Sequence, residues 1–123
     1  MLDRPDVMSL RNCVNSVTHA YIALADEIIK NHPVVDYADL YVKAHLLQQS
    51  IEDLYRSAGR SAEVRGYLRT FFDDAAFIER YNAYQTFRQE QAKRSRTAPE
   101  KDEADVLGFL AFFEGRYKQI MNG

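Results

Sequence analysis

Two stretches of the chain repeat large apolar residues at alternating steps of three and four. In the first these are Val7, Leu10, Val14, Val17, Tyr21, Leu24 and Ile28. In the second they are Tyr37, Leu40, Ala44, Leu47, Ile51, Leu54 and Ala58. That spacing averages close to one helical turn, so each set lies along one face of a helix as a heptad seam. Asn31-His32-Pro33 separates the two, and Pro33 disfavours helical geometry at His32. Asp36 stands where the second helix needs an N-cap, and Asp39 adds negative charge to its first turn. Pro5 suits an early position of the first helix, where a missing N–H is no loss. Matched seams joined by a short link predict an antiparallel helical hairpin. Tyr41 and Tyr55 widen the second seam, and Gly59 is positioned as its C-terminal cap.

The rest of the chain continues in helices. Ser61 can cap a shorter one, with Val64, Tyr67, Leu68, Phe71 and Phe72 on its apolar face. Asp73-Asp74 reads as the acidic start of a fourth helix striped by Phe77, Ile78, Tyr81, Tyr84 and Phe87. After Phe87 the stripe stops but helix formers continue through Arg94. Residues 88–104 therefore read as a polar helix extension projecting beyond the core, followed by a loop. Thr97-Ala98-Pro99-Glu100 has the pattern of a capping box, so the fifth helix can begin well before its apolar part. A fifth helix, about Asp105 to Met121, gathers Val106, Phe109, Leu110, Phe113, Tyr117, Ile120 and Met121 on one arc.

Composition agrees with this pattern. Only five Gly and three Pro occur in 123 residues, so loops are few and short. Hydrophobic residues make up 46% of the chain, enough to build one core. The expected fold is all-α: a compact bundle of four to five helices, a single domain over residues 1–123, starting with the antiparallel hairpin. No apolar run approaches the roughly 20 residues that cross a bilayer, so no membrane association is expected. The lone Cys13 cannot form an internal disulfide, and the polar start of the chain is unlike a secretory signal. The expectation is a cytoplasmic protein in which Cys13 is a small, inert, partly buried hydrophobe.

Motifs that carry chemistry are missing. Glu27, Glu52 and Glu79 are followed three residues later by Lys30, Tyr55 and Asn82, so the Glu-x-x-His pairs of di-iron bundles do not occur. His19, His32 and His45 form no pair one turn apart, and a single cysteine offers no zinc set. The only pairing to weigh is His19 with His45 across the hairpin, and boundary histidines with the ring against the core are preferred. Gly59, Gly66, Gly108, Gly115 and Gly123 are scattered and build no phosphate loop. The reading is a chain that is not an enzyme and takes no cofactor or metal.

Two features stand out. The first is the basic middle: residues 56–96 hold nine basic side chains against five acidic ones. Arg65, Arg69, Arg88, Lys93, Arg94 and Arg96 are the residues that would contact an anionic partner, nucleic acid included. A net charge of −2 for the whole chain favours an ordinary solvated face instead. The second is the bare side of the fifth helix, Gly108, Ala111 and Gly115. A helix-interior glycine costs roughly 1 kcal/mol relative to Ala, so two on one face call for a close neighbour, inside the chain or on a second subunit. Phe112 lies beside this stripe with Arg116 and Gln119, off the main arc, and would be exposed if only one face were covered. These six residues are the expected partner interface. The functional expectation is a non-catalytic helical protein–protein interaction module, such as a small regulator, inhibitor, chaperone or accessory subunit, with homodimerisation as one form. The alternative is a nucleic-acid-binding accessory protein using residues 56–96.

Overall fold

A computed structural model describes residues 4–32, 34–58, 61–94 and 100–122. Five helices account for nearly all of them: α1 (Arg4–Asn31), α2 (Tyr37–Ala58), α3 (Ala62–Phe72), α4 (Ala75–Arg94) and α5 (Lys101–Asn122). The fold is the expected all-α bundle. Both seams are buried as read: Leu10, Val14, Val17, Tyr21, Leu24 and Ile28 from α1, and Leu40, Ala44, Leu47, Ile51 and Leu54 from α2. The side chains of Val7 and Ala58, the cap position Gly59 and the Thr97–Pro99 pattern lie outside the described residues.

Local chemistry sets the helix starts. Asp36 Oδ1 accepts from the Asp39 backbone N–H at 3.1 Å, and Asp74 Oδ1 accepts from that of Phe77 at 3.0 Å. Each carboxylate satisfies an otherwise unpaired donor of a first turn. Ser61 occupies the cap position of α3 with extended backbone, but its side chain makes no capping bond. Only Asp73 and Asp74 separate α3 from α4, so the chain bends sharply there without Gly or Pro.

Side-chain pairings give the topology. α1 packs on α2, α3 and α4, while α5 packs on α2 and α3. Lys43 of α2 reaches Glu27 of α1 at 3.8 Å across the antiparallel hairpin. Along α2 and α5 the partners advance together, Tyr41 with Phe109 and later Glu52 with Arg116, so these two helices are parallel. Asp26–Arg80 and then His32–Phe87 show the same for α1 and α4. α3 closes the base, with Phe72 against Phe77 and Tyr117. At the centre the Tyr21 ring stacks on Phe113 at 4.9 Å and meets Phe77 and Tyr84 edge-on.

Two expectations change. Cys13 is exposed rather than partly buried, because it sits on the outer side of α1 next to the seam. Tyr67 is 40% exposed, since α3 buries only Val64, Leu68 and Phe72 against the base. α5 starts at Lys101, well before its apolar part, as the capping-box pattern allows. Among the described residues no helix is long and apolar enough to cross a membrane.

Candidate interaction face

α5 packs on α2 along one side and meets α4 through side chains such as Tyr117 with Tyr81, which divides its surface into sectors. Phe109, Phe112, Arg116 and Gln119 lean towards α2. Glu114 leans towards α4, where its carboxylate meets Arg88 at 3.0 Å. Gly108, Ala111 and Gly115 point outward and are exposed. A methyl group added at Gly108 or Gly115 would have no neighbouring atom within 4 Å. Among the described residues no close neighbour explains these glycines.

The other three residues of the expected interface have intramolecular partners. Arg116 donates from Nε to Glu52 Oε2 at 3.0 Å and from Nη1 to Gln119 Oε1 at 2.9 Å. Its guanidinium lies over the Tyr55 ring at 4.3 Å and the Phe112 ring at 5.2 Å, within cation–π range. Phe112 is therefore half-buried against the core cluster rather than exposed. The packing of α2 against α5 and the Arg116 side chain help to cover it, which the helical phase of α5 alone did not reveal.

Because α2 and α5 lie side by side, their outward faces form one side of the bundle. The outer surface of α2 carries Val42, 61% exposed, and Leu46, 55% exposed, one turn apart, while Tyr41 leans towards Phe109 of α5. A groove of about 190 Å³ adjoins Leu46 between α1 and α2, lined by Val17, Ala20, Lys43, Leu47 and two serines. Sequence reading passed over Val42 and Leu46 because they fall outside the seam. Two off-seam aliphatic residues at i and i+4 are the signal that was available.

The basic side chains do not gather. Arg69 donates from Nε to the Ile120 carbonyl at 3.1 Å and so caps the end of α5. Arg88 is held by Glu114 and by Gln85 at 2.7 Å. Arg65 is half-buried beside a hollow at the base, while Lys93 and Arg94 are exposed at the far end of α4. Arg96 lies outside the described residues. Of the six residues weighed as anionic contacts, Arg69 and Arg88 have their guanidinium groups engaged within the bundle.

Within the core, Glu114 stands among tyrosines. Burial, reinforced by the Glu114 charge, pushes the Tyr21 and Tyr84 hydroxyls well above their ordinary range. Tyr81 is pushed up to about 12 by burial, Glu114 and Tyr117, against a lowering pull from Arg88. The Gln85 side chain lies beside the Tyr21 hydroxyl and favours its ionised form, but without the geometry of a formed hydrogen bond. These phenols stay neutral at ordinary pH. His45 packs near Tyr41 and Phe109 on the α5 side of α2, and His19 is exposed on α1. No group of three His, Cys, Asp or Glu side chains among the described residues is arranged to hold a metal ion. Comparison with family models, with curated proteins and with solved structures gives no match.

Proposed function

We propose that this chain is a non-catalytic helical interaction module that docks a protein partner on the outer α2–α5 side of the bundle. What supports this reading is exposed aliphatic Val42 and Leu46 on α2 and an outward glycine strip on α5, the helix packed against it. Each helical glycine costs roughly 1 kcal/mol, and no internal packing compensates it. A helix or sheet edge brought against Gly108, Ala111 and Gly115 would approach the α5 backbone closely and find an apolar margin on α2. A second copy of the chain and a different protein both meet that description. A reducing, cytoplasmic setting goes with this reading, since the exposed Cys13 has no disulfide partner.

The test is site-specific photo-crosslinking in native lysate, with the crosslinker at Val42 or Ala111 and, as controls, at Glu79 or Glu90. The face positions should join a defined protein, either another copy or a distinct chain, and the controls should not. Leu46→Asp should weaken that association at least about tenfold, the equivalent of 1.4 kcal/mol. Equal crosslinking at all four positions, or an unchanged product with Leu46→Asp, would remove the proposal.

A further inference from the structure

We propose that a second copy of this chain docks on the outer face of the α1–α2 hairpin, forming a two-fold dimer across the groove between these helices. The groove is lined from α1 and α2 alone, while α3 and α4 pack on α1 and α5 packs on α2 elsewhere. Its α1 wall is small, made of Ser16 and Ala20, and the exposed Ala23 continues it by one turn. Its α2 wall is large: Leu46 lines the groove, and Val42 stands exposed one turn away. Small beside large suits a two-fold axis running along the hairpin. Such an axis lays α2 of each copy on α1 of the other, so the aliphatic side chains of one fill the shallow wall of its mate. The product is a four-helix arrangement in which every neighbouring pair is antiparallel.

Charge selects a second copy over a foreign helix. Lys43 Nζ lies 3.8 Å from Glu27 Oε1 within the hairpin, and both side chains stay about half exposed. That pair fixes which residues of α1 and α2 share a level. An axis along the hairpin preserves levels, so α2 meets α1 of the other copy in the same antiparallel register. Lys43 then faces Glu27 of the second copy as well as its own. One turn towards the link between the helices, exposed Asp39 comes level with exposed Lys30 of the second copy. Opposite charges become neighbours and like charges fall on the diagonal, which steers association towards this register. A foreign helix would have to supply the same pattern, whereas this chain already carries it. The face is also large enough. Two adjacent helices, the shorter of 22 residues, present a surface roughly 33 Å long and about 20 Å wide. Its area, on the order of 700 Å², approaches the roughly 800 Å² per partner of a standard interface. Because Val42 and Leu46 are shared with the docking surface above, this inference rests on that reading for its apolar contacts and adds the identity of the partner.

The measurement is sedimentation equilibrium of the intact chain over a range of concentrations, with circular dichroism confirming that each variant folds. A reversible monomer–dimer equilibrium is expected. Ser16→Arg puts bulk and charge into the exposed α1 wall and should weaken the dimer at least about tenfold. Lys43→Glu and Glu27→Lys should each weaken it too, because each sets like charges at both contacts of a homodimer. An equimolar mixture of these two variants restores opposite charges at both contacts and should dimerise more tightly than either alone. The pair inside each chain stays mismatched in that mixture, so the gain can only arise between chains. Arg94→Gln, at the far end of α4, should change nothing. A chain that stays monomeric, a dimer indifferent to Ser16→Arg, or a mixture no tighter than its components would overturn the proposal. If the chain is monomeric while positions 42 and 111 still crosslink a distinct protein, the dimer is refuted and the docking reading stands. If the dimer responds as expected while position 111 crosslinks nothing, the dimer stands and the α5 part of the docking reading falls.

Discussion

Arg88 and Glu114 meet at 3.0 Å, but the side chain of Arg88 is 39% exposed and that of Glu114 is 5% exposed. Removing one partner of such a pair therefore has unequal consequences. Without Arg88 a carboxylate is left in the core among phenol rings, and an uncompensated buried charge is strongly destabilising. Without the Glu114 charge the guanidinium can turn to water. Arg88→Met is expected to lower unfolding stability by about 3 kcal/mol and Glu114→Gln by about 1 kcal/mol. Denaturant unfolding of the two variants measures both, and equal losses would show that burial does not control the pair. Neither partner was legible as a structural residue in the sequence. Arg88 read as one of a basic run, and no pattern singled out Glu114. Their distance depends on how α4 crosses α5, which no local pattern encodes.

The three described glycines, all within helices, separate packing from docking. An added Cβ meets nothing within 4 Å at Gly66, Gly108 or Gly115. Each Gly→Ala change should therefore raise monomer stability by about 1 kcal/mol through helix propensity alone. Gly66 lies on α3, away from the proposed face, and serves as the control. Gly108→Ala and Gly115→Ala should also weaken partner association, whereas Gly66→Ala should not. Unfolding midpoints at dilute protein concentration test the first half, and crosslinking yield from position 42 tests the second. If all three variants are stabilised with association unchanged, close approach at α5 is not needed. The element boundaries themselves were largely readable. Asp36 and Asp74 cap as their positions suggested, because a cap is a contact over three residues. The early start of α5 at Lys101 was legible only in the capping-box pattern before it, since its first turn, Lys101–Ala104, carries no large apolar side chain.

At the scale of the whole bundle, tyrosines from several helices resist ionisation together. Tyr21, Tyr81, Tyr84 and Tyr117 are all raised, burial being the largest cause in each case. Tyr37 is raised as well, by burial and then by Glu103. The fold thus favours the neutral phenol. Its contribution to stability is complete below the ordinary tyrosine value of about 10 and is lost as pH rises through the folded values, about 12 for Tyr81. Helix content should hold up to about pH 10 and then fall in one cooperative step. Tyrosinate absorbance from the buried rings should appear in that same step, because Tyr21 links α1, α4 and α5 through its ring contacts. Complete tyrosine ionisation with helical circular dichroism intact would contradict this.

The sequence by itself determined the all-α class, the α1–α2 hairpin with its buried seams, and the apolar arc of α5. These follow from helical phase, a property of a single segment that depends only on residue spacing. Tertiary structure decided which side of each arc meets a neighbour. α2 runs parallel to α5 and draws in Phe112, Arg116 and Gln119. α4 takes up Glu114, and the glycines are left facing outward. Those outcomes are set by the order and tilt of helices far apart in the chain. The same few residues at the edge of an arc can be core, ion-pair wall or open surface, and only the placement of the neighbouring helices selects among them.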